Sequence, residues 1–218
     1  MSTSSTRYKY PRTSHLPWSK KTTSDDLQST RVPFAPHEDI VITEKVDGEN
    51  TTLYCDGLHA RSIDGRGHPS RNWVKALQGR IGHLIPPDLR ICGENLYAQH
   101  SIAYSQLESY FYVFSIWQEQ TCLSWDDTCE WTSLLDLHRV PELYRGPISG
   151  IDLKEFHTSL DLHTQEGYVI RPTRSFMRHE FEHVVFKWVR PHHVQTSKHW
   201  MHQAIIPNQL KPPQEKKT

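Results

Sequence analysis

Apolar and polar positions alternate with the period of an extended strand through Ile40, Ile42 and Leu53, and β-branched Val41, Thr43, Val46, Thr51 and Thr52 favour the same backbone. Asp47-Gly48 supplies turn chemistry between these runs. Residues 42–54, ITEKVDGENTTLY, therefore predict a strand, a tight turn and a second strand, with Lys45 close to the turn. Trp73, Leu77, Ile81 and Leu84 recur at helical spacing, and with Asn72 as a candidate cap they predict a short amphipathic helix over 72–84. RICGENLY (90–97) reads as a strand that enters a turn at Gly93-Glu94-Asn95. YFYVFSIW (110–117) is the most strand-like run, and its aromatics on both faces require burial on both sides or a ligand on one. From 124 to 144 the spacing of Trp131, Leu134, Leu135, Leu137 and His138 predicts helix, with Pro141 near its end. EGYVIR (166–171) and HVVFKWVR (183–190) predict two further strands.

The flanks lack such periodicity. Residues 1–38 are rich in Ser, Thr, Pro and Lys, with Tyr8, Tyr10, Leu16, Trp18 and Phe34 as anchors for an irregular segment packed on a folded body. A loop with two glycines and Pro69 carries Arg66 and Arg71, and reads equally as a phosphate-reaching loop or an ordinary polar one. PNQLKPPQEKKT (207–218) is Pro- and Lys-rich and predicts a disordered tail. With no internal repeat and no linker, one α+β domain over 1–206 is the economical organisation.

Composition narrows the classes. A chain of 218 residues with 36% hydrophobic and 11% aromatic residues can bury a sizeable core. Lys plus Arg and Asp plus Glu both number 25, so a nucleic-acid partner has to meet a local basic face rather than a bulk positive charge. Cys55, Cys92, Cys122 and Cys129 form no C-x-x-C pair, which fits reduced thiols inside a cell. No apolar leader and no membrane-length apolar run is present, so an intracellular, cytoplasmic protein with no membrane partner is expected.

The candidate chemistry centres on Lys45. An amine is protonated at neutral pH, so a reactive lysine needs surroundings that relieve it of its proton. Alone, K-x-D-G is more often a hairpin with a solvated lysine at its tip than a reactive site. Three further charged residues, Glu94, Glu166 and Lys187, stand at the edges of β-runs. With the aromatic strand around Phe114 they form an ordered set.

In that order the chain resembles the covalent nucleotidyltransferase superfamily of polynucleotide ligases and capping enzymes, most closely the nick-sealing branch of ATP-dependent RNA ligases. EKVDGEN looks like the nucleophile motif K-x-D-G-x-N and ARS like the following arginine motif. GEN and YFYVFSI resemble the third-motif region, EGYVI the fourth and FKWVR the fifth. The resemblance implies a nucleotidyltransferase (ATP-grasp-like ligase adenylation) domain of antiparallel sheets flanked by helices. It also implies a reaction in which Lys45 attacks the α-phosphate of ATP, passes AMP to a 5′-phosphate end, and a 3′-hydroxyl then seals the strand. By the same resemblance Lys187 neutralises the α-phosphate and depresses the Lys45 pKa. Glu166 approaches the lysine and, through water, Mg²⁺ or Mn²⁺; Glu94 fixes the ribose; Phe114 stacks on adenine; and Glu44 lines the base pocket. Asp47 belongs to the nucleotide-binding motif, while Asn50 and Arg61 contact phosphates. Tyr112 shares a strand face with Phe114 and Phe111 lies on the other, which leaves the register open. The implied partner is RNA, or an RNA/DNA duplex, with 5′-phosphate and 3′-hydroxyl ends.

The match departs from the family in two places. The fifth motif commonly has two lysines one residue apart, whereas Val185 and Val189 flank Lys187 here, leaving Arg171 or Arg190 as candidates for the second charge. The chain also ends soon after that motif, so no C-terminal accessory domain is expected. Rival readings are a capping-type guanylyltransferase, a DNA ligase, and a non-catalytic module that binds nucleotides or RNA ends. His179-Glu180-Phe181-Glu182-His183 also satisfies H-E-x-x-H, a zinc-peptidase signature that works only on a helix and here runs into a β-like stretch.

Overall fold

A computed structural model describes residues 5–19, 27–32, 34–63, 67–191 and 205–212. Its strands and helices run β1 (Ser14–His15), β2 (Asp39–Lys45), β3 (Glu49–Tyr54), β4 (Gly57–Ala60), α1 (Asn72–Ile81), β5 (Leu89–Asn95), β6 (Phe111–Gln118) and β7 (Thr121–Cys122). They continue through α2 (Trp125–Leu134), β8 (His138–Arg139), β9 (Glu142–Pro147), β10 (Gly167–Pro172), β11 (Phe176–Met177), α3 (Phe181–Val184) and β12 (Phe186–Val189). The strands make two sheets, ordered β1-β12-β10-β2-β9 and β11-β7-β6-β5-β3-β4, with β8 beside β6. Pairing is antiparallel except for β1 with β12 and β6 with β8. This is an α+β fold built on antiparallel sheets.

The strands around Lys45 do not form a hairpin. β2 lies between β10 and β9 in one sheet, and β3 lies between β5 and β4 in the other. The reason is burial on both faces of β2. Ile40 and Ile42 pack with Tyr168, Ile170, Phe186 and Trp188, whereas Val41 points the other way, to Val46, Leu96, Tyr112 and Trp125. All three are fully buried, and each stabilises the fold by about 1.5–3 kcal/mol, which an isolated hairpin cannot supply. Val46–Gly48 is thus a crossing between sheets. At Gly48 a Cβ would stand 2.5 Å from the Asn95 carbonyl oxygen, so only glycine lets the chain pass there.

Other expectations are corrected. α1 is preceded by a short 3-10 turn over Pro69–Arg71, so its cap position is Arg71 rather than Asn72. Its buried face is Val74, Leu77 and Ile81, packed on Leu53, Ile91, Phe111 and Val113, while Leu84 is half exposed. β5 runs through Gly93-Glu94-Asn95 instead of turning there. The helix expected over 124–144 stops at Leu134. Ser124 caps it, its Oγ accepting the Asp127 N–H at 3.1 Å, with Asp126 and Asp127 in the first turn. Asp136 then adopts φ 51°, and Pro141, which cannot continue a helix, lies between β8 and β9.

Pro207–Lys211, read as part of a disordered tail, docks on the body. Pro207 bridges to Ala98 and Leu210 to Leu107, and Asn208 is buried. The remaining tail, 213–218, lies outside the described residues. Among the described residues no helix is long and apolar enough to cross a membrane.

Candidate active site

Lys45 is the last residue of β2, in the middle of the five-stranded sheet, and register fixes its surroundings. Gly167 lies opposite Lys45 on one side and Val189 on the other, and two rows along stand Thr43, Val169 and Lys187. Lys45 and Lys187 therefore share the sheet face that looks onto β5 and β6, separated by β10. Gly167 is forced by close packing, since a Cβ there would sit 2.0 Å from the Trp188 carbonyl oxygen. Gly167→Ala is expected to destabilise the protein by about 1–3 kcal/mol, seen as a lower urea midpoint at unchanged slope.

Glu166, at the entry to β10 and 3% exposed, forms an ion pair with the Lys45 Nζ. Glu94 arrives from the other sheet on β5, opposite Asn50, and its Oε1 accepts the Gly48 N–H at 3.2 Å. Burial pushes the Glu94 carboxyl up to about 8, Lys45 pulling it down while Glu166 and Asp47 push further. Burial likewise raises the Glu166 pKa, against the pull of Lys45. For Lys45 burial disfavours the charge, but Glu166, Glu94 and Asp47 outweigh it and hold the pKa above the ordinary lysine value. This corrects the expectation that Lys187 depresses it. Without a bound nucleotide Lys45 keeps its proton, held chiefly by its ion pair with Glu166.

Phe114 owes its direction to a β-bulge. Cys92 pairs with Ser115 and Gly93 with Val113, so Phe114 is the extra residue of β6. Phe111 and Val113 face α1, whereas Tyr112 and Phe114 face the space between the sheets. Tyr112 is buried in that core, and Phe114 borders a cavity. Behind Phe114 stands Tyr10, ring centroids 5.1 Å apart and edge to face. Tyr10 belongs to the N-terminal segment, which β1 anchors beside Lys187. Its aromatic character was legible in the chain, but nothing local tied it to Phe114.

The cavity, about 690 Å³, lies between the two sheets, and all nine residues singled out from the sequence border it: Lys45, Glu166, Lys187, Glu44, Asp47, Asn50, Arg61, Glu94 and Phe114. That volume is in the range of small-molecule sites. Glu44 accepts from the Gln165 Nε2 at 2.9 Å, and burial raises its pKa despite that bond. Asp47 is engaged with the chain itself. Its Oδ2 accepts the Ser101 N–H at 2.7 Å, the Ser101 hydroxyl at 2.7 Å and the Ile102 N–H at 3.0 Å, contacts that no local pattern signals. The Asn50 Oδ1 is buried in the cavity wall without a hydrogen-bond partner. Arg61 follows β4 and is exposed at the cavity.

The candidate replacements for the second lysine differ in place. Arg171 borders the cavity, its Nη2 donating to the Leu123 carbonyl at 2.6 Å. Arg190 turns to the Leu162 carbonyl and is not among the cavity's lining residues. Arg71 sits in the 3-10 turn before α1 and is held bidentately by Glu49, Nε to Oε2 at 2.7 Å, while Arg66 lies outside the described residues. The H-E-x-x-H residues straddle a 3-10 turn and the one-turn helix α3. Glu180 there accepts the Met177 N–H at 2.7 Å and pairs with Arg174, so it is occupied as a cap.

Among the described residues no cluster of three or more His, Cys, Asp or Glu side chains is arranged to hold a metal ion. The donors that border the cavity, Glu166, Glu94 and the unpartnered Asn50 oxygen, fit a divalent cation that keeps most of its water and takes further oxygens from a polyphosphate.

Residues 38–189 match the family model described as RNA ligase. Two solved structures share the fold. The archaeal ATP-dependent RNA ligase (form 1) is 19% identical with a TM-score of 0.50, covering 70% of this chain and 42% of its own. The Naegleria gruberi RNA ligase with PPi is 17% identical with a TM-score of 0.50, covering 70% of this chain and 50% of its own. The chain thus spans half or less of the length of these ligases. No curated protein matches it by sequence.

Proposed function

The chain belongs to the RNA ligase family, and on that premise we propose that it is an ATP-dependent RNA ligase that works through a lysyl-AMP at Lys45. The observation that carries this reading is Lys45 itself, a lysine paired to buried Glu166 inside a cavity that also presents Glu94, Phe114 and Lys187.

In the proposed reaction the Nζ lone pair forms a bond to the α-phosphorus of ATP. The Lys45 ammonium first gives one proton to Glu166, which frees that lone pair; as the bond from the phosphorus to the bridging oxygen breaks, pyrophosphate leaves with the electron pair and a second proton leaves the nitrogen to solvent. Phosphoryl transfer asks for positioning and neutralised charge more than for covalent chemistry. Phe114 supplies the flat apolar surface for the base and Glu94 an acceptor for the ribose hydroxyls. Lys187, on the same sheet face, supplies positive charge for the α-phosphate. Glu166 holds Nζ in place before attack and is the nearest acceptor for its proton. A bound Mg²⁺ or Mn²⁺ supplies charge neutralisation along the phosphate chain, with Glu166, Glu94 and Asn50 as the residues to hold its waters. AMP then moves from Lys45 to a 5′-phosphate of RNA, or of an RNA/DNA duplex, and a 3′-hydroxyl displaces it. Arg61, exposed at the cavity, is a candidate contact for that nucleic acid. A cytoplasmic setting accords with four thiols that are all free.

The test is intact mass after incubation with Mg²⁺ and either ATP or GTP. One acid-labile AMP adduct, mapped to the peptide containing Lys45, is expected with ATP and none with GTP. A GMP adduct would move the protein to guanylyl transfer, and absence of any adduct over a range of pH and metal would sink the mechanism. Sealing of nicked duplexes with RNA or DNA on either side of the break then reads the substrate.

A further inference from the structure

Asn208 is 2% exposed, although it belongs to the docked C-terminal segment rather than to either sheet. Its polar groups are all employed. The Oδ1 accepts the Tyr104 N–H at 2.8 Å, and the Nδ2 donates to the Leu96 carbonyl at 2.7 Å. Its backbone N–H donates to the Tyr97 carbonyl at 2.8 Å, and its own carbonyl accepts the Tyr110 hydroxyl at 3.0 Å. The next residue, Gln209, donates its N–H to the Tyr104 carbonyl at 2.9 Å, so both backbone groups of Tyr104 rest on this segment. At its other end Tyr104 reaches the nucleophile's turn, where its hydroxyl accepts the Asp47 N–H at 2.9 Å.

That turn needs outside support. β2 ends at Lys45, so Val46–Gly48 has no sheet ladder to hold it. Its polar ties are the Tyr104 hydroxyl, the Glu94 carboxylate on the Gly48 N–H, and the Ser101 and Ile102 groups on Asp47. Two of these three ties come from residues 101–104, the stretch that Asn208 clamps.

We propose that Asn208 is a positioning residue for Lys45, acting through Tyr104 and Asp47 to set the direction in which the amine leaves the end of β2. The inference rests on the adenylylation reading above. Its physical basis is that in-line attack tolerates little misplacement, about 1 Å costing roughly 10²-fold in rate. The docked segment is thereby part of the active-site scaffold, although it lies beyond the family-matched residues 38–189.

The experiment is single-turnover AMP-adduct formation by the full chain at varied ATP, comparing wild type, Asn208→Ala, Tyr104→Phe and the double variant. The rate constant is expected to fall about tenfold or more in each single variant, with the apparent ATP dissociation constant within about twofold of wild type, and the double is expected to be no slower than the slower single. Tyr104→Phe removes one oxygen and keeps the test decisive should Asn208→Ala fail to fold. An unchanged rate in Tyr104→Phe overturns the inference, as does a rate loss that tracks lost ATP affinity. Effects that multiply in the double variant overturn it too. Lack of adduct in wild type defeats the adenylylation reading itself, whereas a normal wild-type adduct with unaffected variants defeats only the role of Asn208.

Discussion

Lys45→Ala is expected to abolish the AMP adduct, while Lys187→Ala is expected to slow its formation by about 10²–10³-fold and still let it accumulate. The contrast separates a nucleophile from a residue that only stabilises charge. With Lys45 gone there is no second amine at the end of β2 to take the phosphoryl group, because its row neighbours are Gly167 and Val189. Lys187 stands two rows away across β10, so its loss removes positive charge from the site but leaves the Nζ and Glu166 in place. Lys45→Ala should also be tolerated by the fold. Glu166 loses its counter-charge, but a buried carboxyl with an already raised pKa takes up a proton instead of remaining an unpaired anion. Mass spectrometry over a time course reads both variants. An adduct in Lys45→Ala, or equal rates in Lys187→Ala and wild type, would contradict the assignment.

The second large effect concerns pH. Inside the fold Glu94 titrates at about 8 because burial disfavours its charge, whereas in the unfolded chain it titrates near 4.5. Between those values the native state carries a proton that the unfolded state has lost, so the slope of unfolding free energy against pH is negative. The contribution is fully present below the unfolded value and is lost as pH rises through the folded one. Nucleotide-free protein should therefore lose stability between about pH 4.5 and pH 8, by at most about 5 kcal/mol from this group. Glu94→Gln keeps the shape without the titration, so its stability curve should be flatter and should cross above wild type at the alkaline end. Urea titrations at pH 5, 6.5 and 8 give the comparison, and parallel curves for the two proteins would contradict it.

Much of the fold was legible because its strands carry their own signals. The runs 110–117 and 166–171 each became a strand within a residue, since their β-branched and aromatic residues fit a buried pleat, whereas of 183–190 only Phe186–Val189 is strand and His183 and Val184 end α3. The helix over 124–144 failed where leucine spacing competed with Asp136 and Pro141, and exposed Leu134 shows that part of the periodicity was not a buried face. The tail failed for the opposite reason. Composition marks 207–218 as polar, but a short segment gains order from a few well-made hydrogen bonds, and a single buried Asn208 supplies them where average composition is blind.

At the candidate site the division is sharper. The chain alone singled out the candidates, because Lys45, Glu94, Phe114, Glu166 and Lys187 stand in an order that resembles the motifs of the nucleotidyltransferase superfamily. Only the tertiary structure decided that Lys45 leaves the end of a central strand between two sheets, and that it is held protonated by buried Glu166. Pairing register and burial set those facts, and both depend on residues far apart in sequence: Gly167 beside Lys45, Glu94 across the cavity, Tyr10 behind Phe114 and Asn208 beneath the turn. A local pattern states what a side chain is able to do, whereas its charge state and direction follow from neighbours that meet it only when the sheets close.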